Sequence, residues 1–185
     1  MDNLITKKKI TRIYGIGYSK IKLLIQTKQL QVVQTEKGER ILKSSLEKWL
    51  ELEKDIKENY VNYKVAIEKI GSTWRQELNN INMLSEHGLL ETIVLEEGLT
   101  INFHRYFVSK DSLNEFEYRL SEKYMLEEKV CNILDLDICA IRSRKSRGSI
   151  PFIEFRKETY YLRSEVELML DLKSNYYTVP EFQKD

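Results

Sequence analysis

Three times along the chain a short β-prone stretch ends in a basic residue and passes directly into the start of an amphipathic helix. The segments are Ile41-Leu42-Lys43-Ser44-Ser45-Leu46, Phe107-Val108-Ser109-Lys110-Asp111-Ser112-Leu113 and Tyr161-Leu162-Arg163-Ser164-Glu165-Val166. Each carries Lys or Arg, then Ser or Asp, then any residue, then Leu or Val; Leu46 and Leu113 lie 67 residues apart and Val166 a further 53. This recurrence constrains the fold more than any other feature, because it points to one small strand-and-helix unit built three times. A local expectation accompanies it. Ser44, Asp111 and Ser164 are each placed to accept a hydrogen bond from the unpaired N–H groups that open the next helix.

With 42% apolar residues in 185, small cores of this kind are affordable. No apolar run approaches the roughly 18 residues of a membrane span. Lys7, Lys8 and Lys9, followed by Arg12, stand where a secretory signal needs an apolar stretch, so a cytoplasmic chain is expected. Cys131 and Cys139 are too few for a disulfide scaffold and, with His87 and His104, lack zinc-ligand spacing. No metal or cofactor is expected, and both thiols are expected to be free and buried. A net charge of +1 hides an uneven distribution: divided after residues 55 and 120, the chain holds 12 basic and 7 acidic side chains, then 7 and 10, then 11 and 12. A polyanion should therefore meet the first part most favourably. In the third, Arg142, Arg144, Lys145 and Arg147 put four cations into six residues.

In the first part, Lys7 to Tyr14 reads as a short helix with Ile5, Ile10 and Ile13 as its apolar positions, Gly15-Ile16-Gly17 as a tight turn, and Tyr18 to about Gln26 as a second helix with Ile21, Leu24 and Ile25 inward. Leu30 to Gln34 and Arg40 to Lys43 read as a hairpin around Gly38. A third helix follows, with Leu46, Trp49, Leu50 and Ile56 apolar, continuing toward Tyr60 as a linker. The run Tyr14-Gly15-Ile16-Gly17-Tyr18-Ser19-Lys20-Ile21-Lys22-Leu23-Leu24-Ile25, then Leu30-Gln31-Val32-Val33 and Arg40-Ile41-Leu42-Lys43-Ser44-Ser45-Leu46-Glu47-Lys48-Trp49-Leu50, resembles the winged helix-turn-helix of the excisionase and MerR-like families. Two positions depart from that pattern: Gly17 replaces the usual serine cap, and Lys28 replaces the glycine before the wing.

The later parts repeat this less closely. In the third, Glu127 to Leu134 reads as the first helix, Asp137 as a cap, and Arg147-Gly148-Ser149-Ile150-Pro151-Phe152-Ile153 as the entry to a hairpin turning at Arg156-Lys157-Glu158. Arg144 and Lys145 occupy the places of the inward leucine-isoleucine pair, so the second helix is expected to be shorter or shifted in register. In the second part, a helix from Ser72-Thr73 to about Ser85 precedes a long hairpin, Leu89 to Leu95 and Thr100 to Val108, turning at Glu96-Glu97-Gly98. An acidic tip repels phosphate. Trp74, Phe103 and Tyr106 read as core, although with His104 and Arg105 the last two could instead form an exposed aromatic strip.

The resulting expectation is an α+β, mainly α chain of three tandem small winged helix-turn-helix modules, each with a β-hairpin wing and closing helix, over 1–57, 58–120 and 121–175, with a tail over 176–185. The resemblance implies a site-specific double-stranded DNA-binding protein, either a transcriptional regulator or an excisionase-like architectural factor for recombination of a mobile element. A major groove admits a helix while wing cations anchor phosphates. The candidate contacts are Tyr18, Ser19, Lys20, Lys22, Lys37 and Arg40 in the first module and Arg142, Arg144, Lys145, Arg147 and Lys157 in the third. Arg75, Gln76, Asn79 and Asn80 are secondary candidates in the second, which reads equally as a spacer or as a contact module for a recombinase, RNA polymerase or another protein. The bland alternative for the basic runs is a solvated face, and for the whole chain an adaptor that binds protein. A catalytic role is not expected, because Gly15-Ile16-Gly17 lacks the third glycine and preceding strand of a dinucleotide site and no nucleophile-elbow or metal constellation is present.

Overall fold

The structure is a computed structural model and describes residues 3–71, 77–96, 99–101 and 104–175. One element order runs through it three times, with the closing helix of the second copy divided in two. The first copy comprises β1 (Leu4–Ile5), α1 (Lys7–Tyr14), α2 (Tyr18–Gln26), β2 (Val32–Thr35), β3 (Gly38–Leu42) and α3 (Lys43–Asn59). The second comprises β4 (Tyr60–Asn62), α4 (Tyr63–Ile70), α5 (Glu77–Glu86), β5 (Thr92–Val94), β6 (Tyr106–Ser109), α6 (Lys110–Asn114) and α7 (Phe116–Lys123). The third comprises β7 (Tyr124–Leu126), α8 (Glu127–Leu134), α9 (Ile138–Ser146), β8 (Phe152–Phe155), β9 (Glu158–Leu162) and α10 (Arg163–Asn175). The chain is thus α+β and mainly helical, with three small antiparallel sheets ordered β1-β3-β2, β4-β6-β5 and β7-β9-β8. Packing gathers these elements into two compact units, one from 1–66 and 90–113, the other from 67–89 and 114–185. Among the described residues no helix is long and apolar enough to cross a membrane, and no group of side chains could hold a metal ion.

Each sheet contains a strand of two or three residues that leads into its first helix, and these short strands are the main addition to the sequence reading. Leu4 pairs with Leu42, Tyr60 with Ser109 and Tyr124 with Leu162. So few residues show no alternation to read. The helical pattern running toward Tyr60 stops there because Tyr60 adopts extended backbone, although its N–H still donates to the Ile56 carbonyl of α3.

The expected caps do not form. Ser44, Asp111 and Ser164 are exposed and make no side-chain hydrogen bond among the described residues. The following residue bonds the strand entry instead, and in the second copy the Ser112 N–H donates to Ser109 Oγ. Ser45 Oγ accepts from the Gln31 N–H at 3.1 Å and donates to the Leu42 carbonyl at 2.8 Å. Ser112 Oγ does the same with the Glu91 N–H at 3.0 Å and the Ser109 carbonyl at 3.1 Å. The helix begins two residues earlier than expected, at Lys43 with Leu42 in the cap position, which turns this serine inward to tie the strand entry to the helix. In the third copy the donor position is Pro151, which has no N–H, and the serine position is Glu165. Donor and acceptor are lost together.

The basic residue of the recurring motif also has a structural role. Lys110 Nζ donates to the Glu58 and Lys57 carbonyls at the end of α3. Arg163 donates to the Ser121 and Glu122 carbonyls at the end of α7, at 2.5 and 2.8 Å. Cations there satisfy carbonyls that lack intrahelical partners and complement the helix dipole.

In the first unit the core runs from Ile10, Ile21, Leu24, Leu46, Trp49 and Ile56 on to Leu95, Leu99, Ile101 and Phe107 of the second copy's hairpin region. In the second unit Val130, Leu134, Ile141, Ile150, Tyr161 and Val166 form one cluster, while Phe116 of α7 meets Phe155 of β8 edge-on at 5.5 Å. Several expectations are corrected. Ile13 is exposed, because Ile10 alone takes the inward position of α1. Cys139 is exposed on the outer side of α9 and Cys131 is only half-buried; both are free. The second hairpin's paired strands are shorter than expected, since β5 and β6 pair only from Thr92↔Val108 to Val94↔Tyr106, with Tyr106 half-buried. Helix α9 is neither shortened nor shifted: it has nine residues, like α2. Trp74, Phe103, the turn residues Glu97 and Gly98 and the tail residues Tyr176, Tyr177, Pro180 and Phe182 lie outside the described residues.

Candidate nucleic-acid interface

In the first copy, Thr6 Oγ1 accepts from the Lys9 N–H and starts α1, and Gly15 ends it in left-handed backbone, φ 68°, with its N–H on the Thr11 carbonyl. This conformation is the one that suits a residue without Cβ. Helix α2 then buries Ile21 and Leu24, which turns Ser19, Lys22 and Tyr18 outward; Tyr18 is 55% exposed. Gly17 caps α2 without any side-chain acceptor, so the first N–H groups of this helix are left to solvent or an anion. Its counterpart Asp137 in the third copy accepts from the Ala140 N–H at 2.8 Å and closes the start of α9 with a carboxylate.

The candidate cations of the first copy divide into two groups. Lys20 is tied to Glu53 of α3 at 2.9 Å and sits over the Trp49 ring at 5.5 Å. Burial pushes the Glu53 carboxyl up, but Lys20, with Lys57 behind it, holds it below its ordinary value. Arg40 is half-buried and donates to the neighbouring Glu39 carbonyl. Lys22 and Lys37 are exposed and have no ion pair or side-chain hydrogen bond among the described residues. Lys8, Lys9 and Arg12 of α1 share that condition, and with Thr6 and Ile13 they line an open depression of about 490 Å³. These three, and Tyr14 at 43% exposure beside the turn, were not among the candidates from sequence. The signal was present for the cations: with Ile10 inward, helical spacing sends Lys8, Lys9 and Arg12 outward, whereas Ile13, three residues on, is expected on the side of Ile10 and is nonetheless exposed.

The third copy looks similar in sequence and differs in contacts. Arg142, the counterpart of Lys22, forks onto Glu127 of α8, with its closest approach 2.9 Å. That hydrogen bond holds the Glu127 carboxyl below, and the Arg142 guanidinium above, their ordinary values. Lys145 is held by Glu154 and Thr159 and lies 4.6 Å from the centre of the Phe152 ring. Its stem thereby covers apolar surface where the first copy has Ile25, and Arg144 takes the place of Leu24 with Nη1 buried and unpartnered. Arg147 bonds the Ser143 carbonyl and hydroxyl of its own helix. Lys157 is exposed at the hairpin turn, φ 66°. Its neighbour Arg156 donates to the Ile70 carbonyl and to Glu117, both at 2.5 Å, and lies over the Phe116 and Phe155 rings. The third hairpin is therefore docked on α4 and α7 of the second copy.

Of the second copy's candidates, Asn79 is exposed on α5 and Asn80 is half-buried with a partner; Arg75 and Gln76 lie outside the described residues. Comparison of the chain with protein-family models, with curated protein sequences and with solved structures finds no match.

Proposed function

We propose that the chain is a site-specific double-stranded DNA-binding protein in which the first copy acts as a winged helix-turn-helix and carries most of the contact. The observation that supports this reading is the set of exposed, unpaired cations Lys8, Lys9, Arg12, Lys22 and Lys37 around an α2 whose N-terminus has no side-chain cap. Helix α2 would enter the major groove with Tyr18, Ser19 and Lys22 toward base edges, the cations of α1 would hold one phosphate strand, and Lys37 at the free first hairpin would hold the other. In the third copy Arg142, Lys145 and Arg156 already have partners within the chain, so Lys157 is its readiest phosphate contact.

The test is salt-dependent binding to a duplex selected from random sequence. Five cations at about 0.9 counterions each give an expected slope of log K against log salt of about −4 to −5. Binding that is indifferent to salt, or absent at low salt, would refute the reading. Strong bending of the selected duplex would favour a recombination factor for a mobile element, and its absence a transcriptional regulator. The adaptor reading also has support, limited to the later copies. Their hairpins pack against the copy before them, which leaves those copies to contact a recombinase, RNA polymerase or other protein through surfaces other than the wing.

A further inference from the structure

A cleft between the α2–β2 connection and the start of α3 has no part in the DNA contact described above. It measures about 250 Å³, and its lining includes Lys28, Lys48, Gln29 and Ser44 together with the apolar surfaces of Trp49 and Leu52. No carboxylate lines it, and neither lysine has an ion pair or side-chain hydrogen bond among the described residues. Helix α3 opens here with no side-chain cap; the Lys43 N–H is taken by the Asn3 carbonyl, and the N–H groups that follow it in the first turn add to the donors. Trp49 is 2% exposed, and its indole Nε1 is buried without a hydrogen-bond partner.

Lys28 is the informative residue. It stands in left-handed backbone, φ 60°, where the second and third copies have Gly88 and Gly148 at φ 67° and 68°. A lysine is strained in that conformation and a glycine is not. Its presence means that the first copy keeps a cation at a position where the backbone favours none. Lys48 is likewise particular to this copy, since its counterparts five residues after the motif's basic residue are Glu115 and Leu168.

We propose that this cleft binds a phosphate group presented as a phosphomonoester by a small molecule. Two cations suit a dianion better than the single charge of a backbone phosphodiester. Tetrahedral oxygens can use the serine, amide and helix donors together, and Trp49 with Leu52 can cover a short organic body. The volume lies below the roughly 300–1,000 Å³ typical of drug-sized pockets, which limits that body to a few atoms.

The experiment uses the full chain carrying Trp74→Phe, so that emission reports Trp49 alone, titrated with inorganic phosphate against sodium chloride of equal ionic strength. The expected result is a saturable change with phosphate only, weakened about tenfold or more by Lys28→Gly with Lys48→Ala. A response that matches chloride, or a double variant that binds phosphate like its parent, would overturn the proposal. The same saturation should appear as a phosphate-dependent rise in melting temperature of the unsubstituted chain, so a poorly folded Trp74→Phe variant does not remove the test. Adding the selected duplex separates the sources of phosphate. Phosphate retained alongside bound duplex supports a small-molecule ligand; displacement by duplex overturns that assignment and gives the site to the DNA backbone. Lys22→Ala should leave phosphate binding unchanged, so failure of this site and failure of the DNA reading are distinguishable.

Discussion

The first and third copies share an element order, a sheet order and second helices of equal length, yet their hairpins meet different surroundings. At the turn of the third hairpin, Arg156 is bound to Ile70 and Glu117 and flanked by Phe116 and Phe155. At the turn of the first, Lys37 is exposed and unpaired. The inner ends of the two β2-type strands follow suit: Thr35 pairs with Gly38 where Phe155 pairs with Glu158. A hairpin that buries an aromatic residue on a neighbouring copy acts as cement, whereas one that ends in threonine and lysine stays available to a ligand. The comparison teaches that a recurrent scaffold can be kept for packing in one place and for contact in another.

The comparison would break first on stability. Phe155→Ala should cost about 3–5 kcal/mol in urea unfolding, as large aromatic truncations in cores do. Thr35→Ala removes only the 2.7 Å hydrogen bond to the Gly38 carbonyl, worth about 1 kcal/mol or less. Equal losses would mean that both hairpins are structural. Next, Arg156→Ala should cost about 1–3 kcal/mol through its two hydrogen bonds and ring contacts. Lys37→Ala should change stability by less than about 0.5 kcal/mol, while lowering the magnitude of the salt slope for duplex binding by about one.

The paired second helices give a finer contrast. Lys22→Ala should weaken duplex binding by about 1 kcal/mol, roughly fivefold, and Arg142→Ala should leave it nearly unchanged in the same assay. The latter should instead alter acid stability. Arg142 keeps the Glu127 carboxyl below its ordinary value, so this contribution is complete above about pH 4.3, the ordinary glutamate value, and is lost as pH falls through the lower folded value. Melting temperatures measured down that range should converge for Arg142→Ala and the parent; curves that stay parallel would remove the pair from the account. The smallest effect concerns the helix start. Gly17→Asp copies Asp137 into the first copy and should stabilise it by a few tenths of a kcal/mol, while a carboxylate at that N-terminus should weaken duplex binding. Improved binding would show that no phosphate approaches α2 there.

Much of this molecule was legible from residue order. The motif at Lys43, Lys110 and Arg163 marked each strand-to-helix junction, and the apolar spacing of Ile21 and Leu24 set the buried side of α2. What escaped had a common cause. The short strands β1, β4 and β7 are too brief for a period to show. The hydrogen bonds of Ser45 and Ser112 were missed because their partners, the Gln31 and Glu91 N–H groups, come from distant parts of the sequence. Arg142 and Lys145 looked like open cations because their partners Glu127 and Glu154 lie 15 and 9 positions away, on other elements. Lys8, Lys9 and Arg12 were readable from helical spacing, since they lie away from the inward Ile10.

By itself, then, the sequence determined the threefold order of strands and helices, the apolar positions that face inward and the excess of positive charge in the first copy, since these depend on local backbone preference and spacing. Only the tertiary structure decided which cations are neutralised and which hairpins are covered. That outcome depends on side chains brought within about 3 Å of one another by packing, and residue order along a chain does not encode such distances directly.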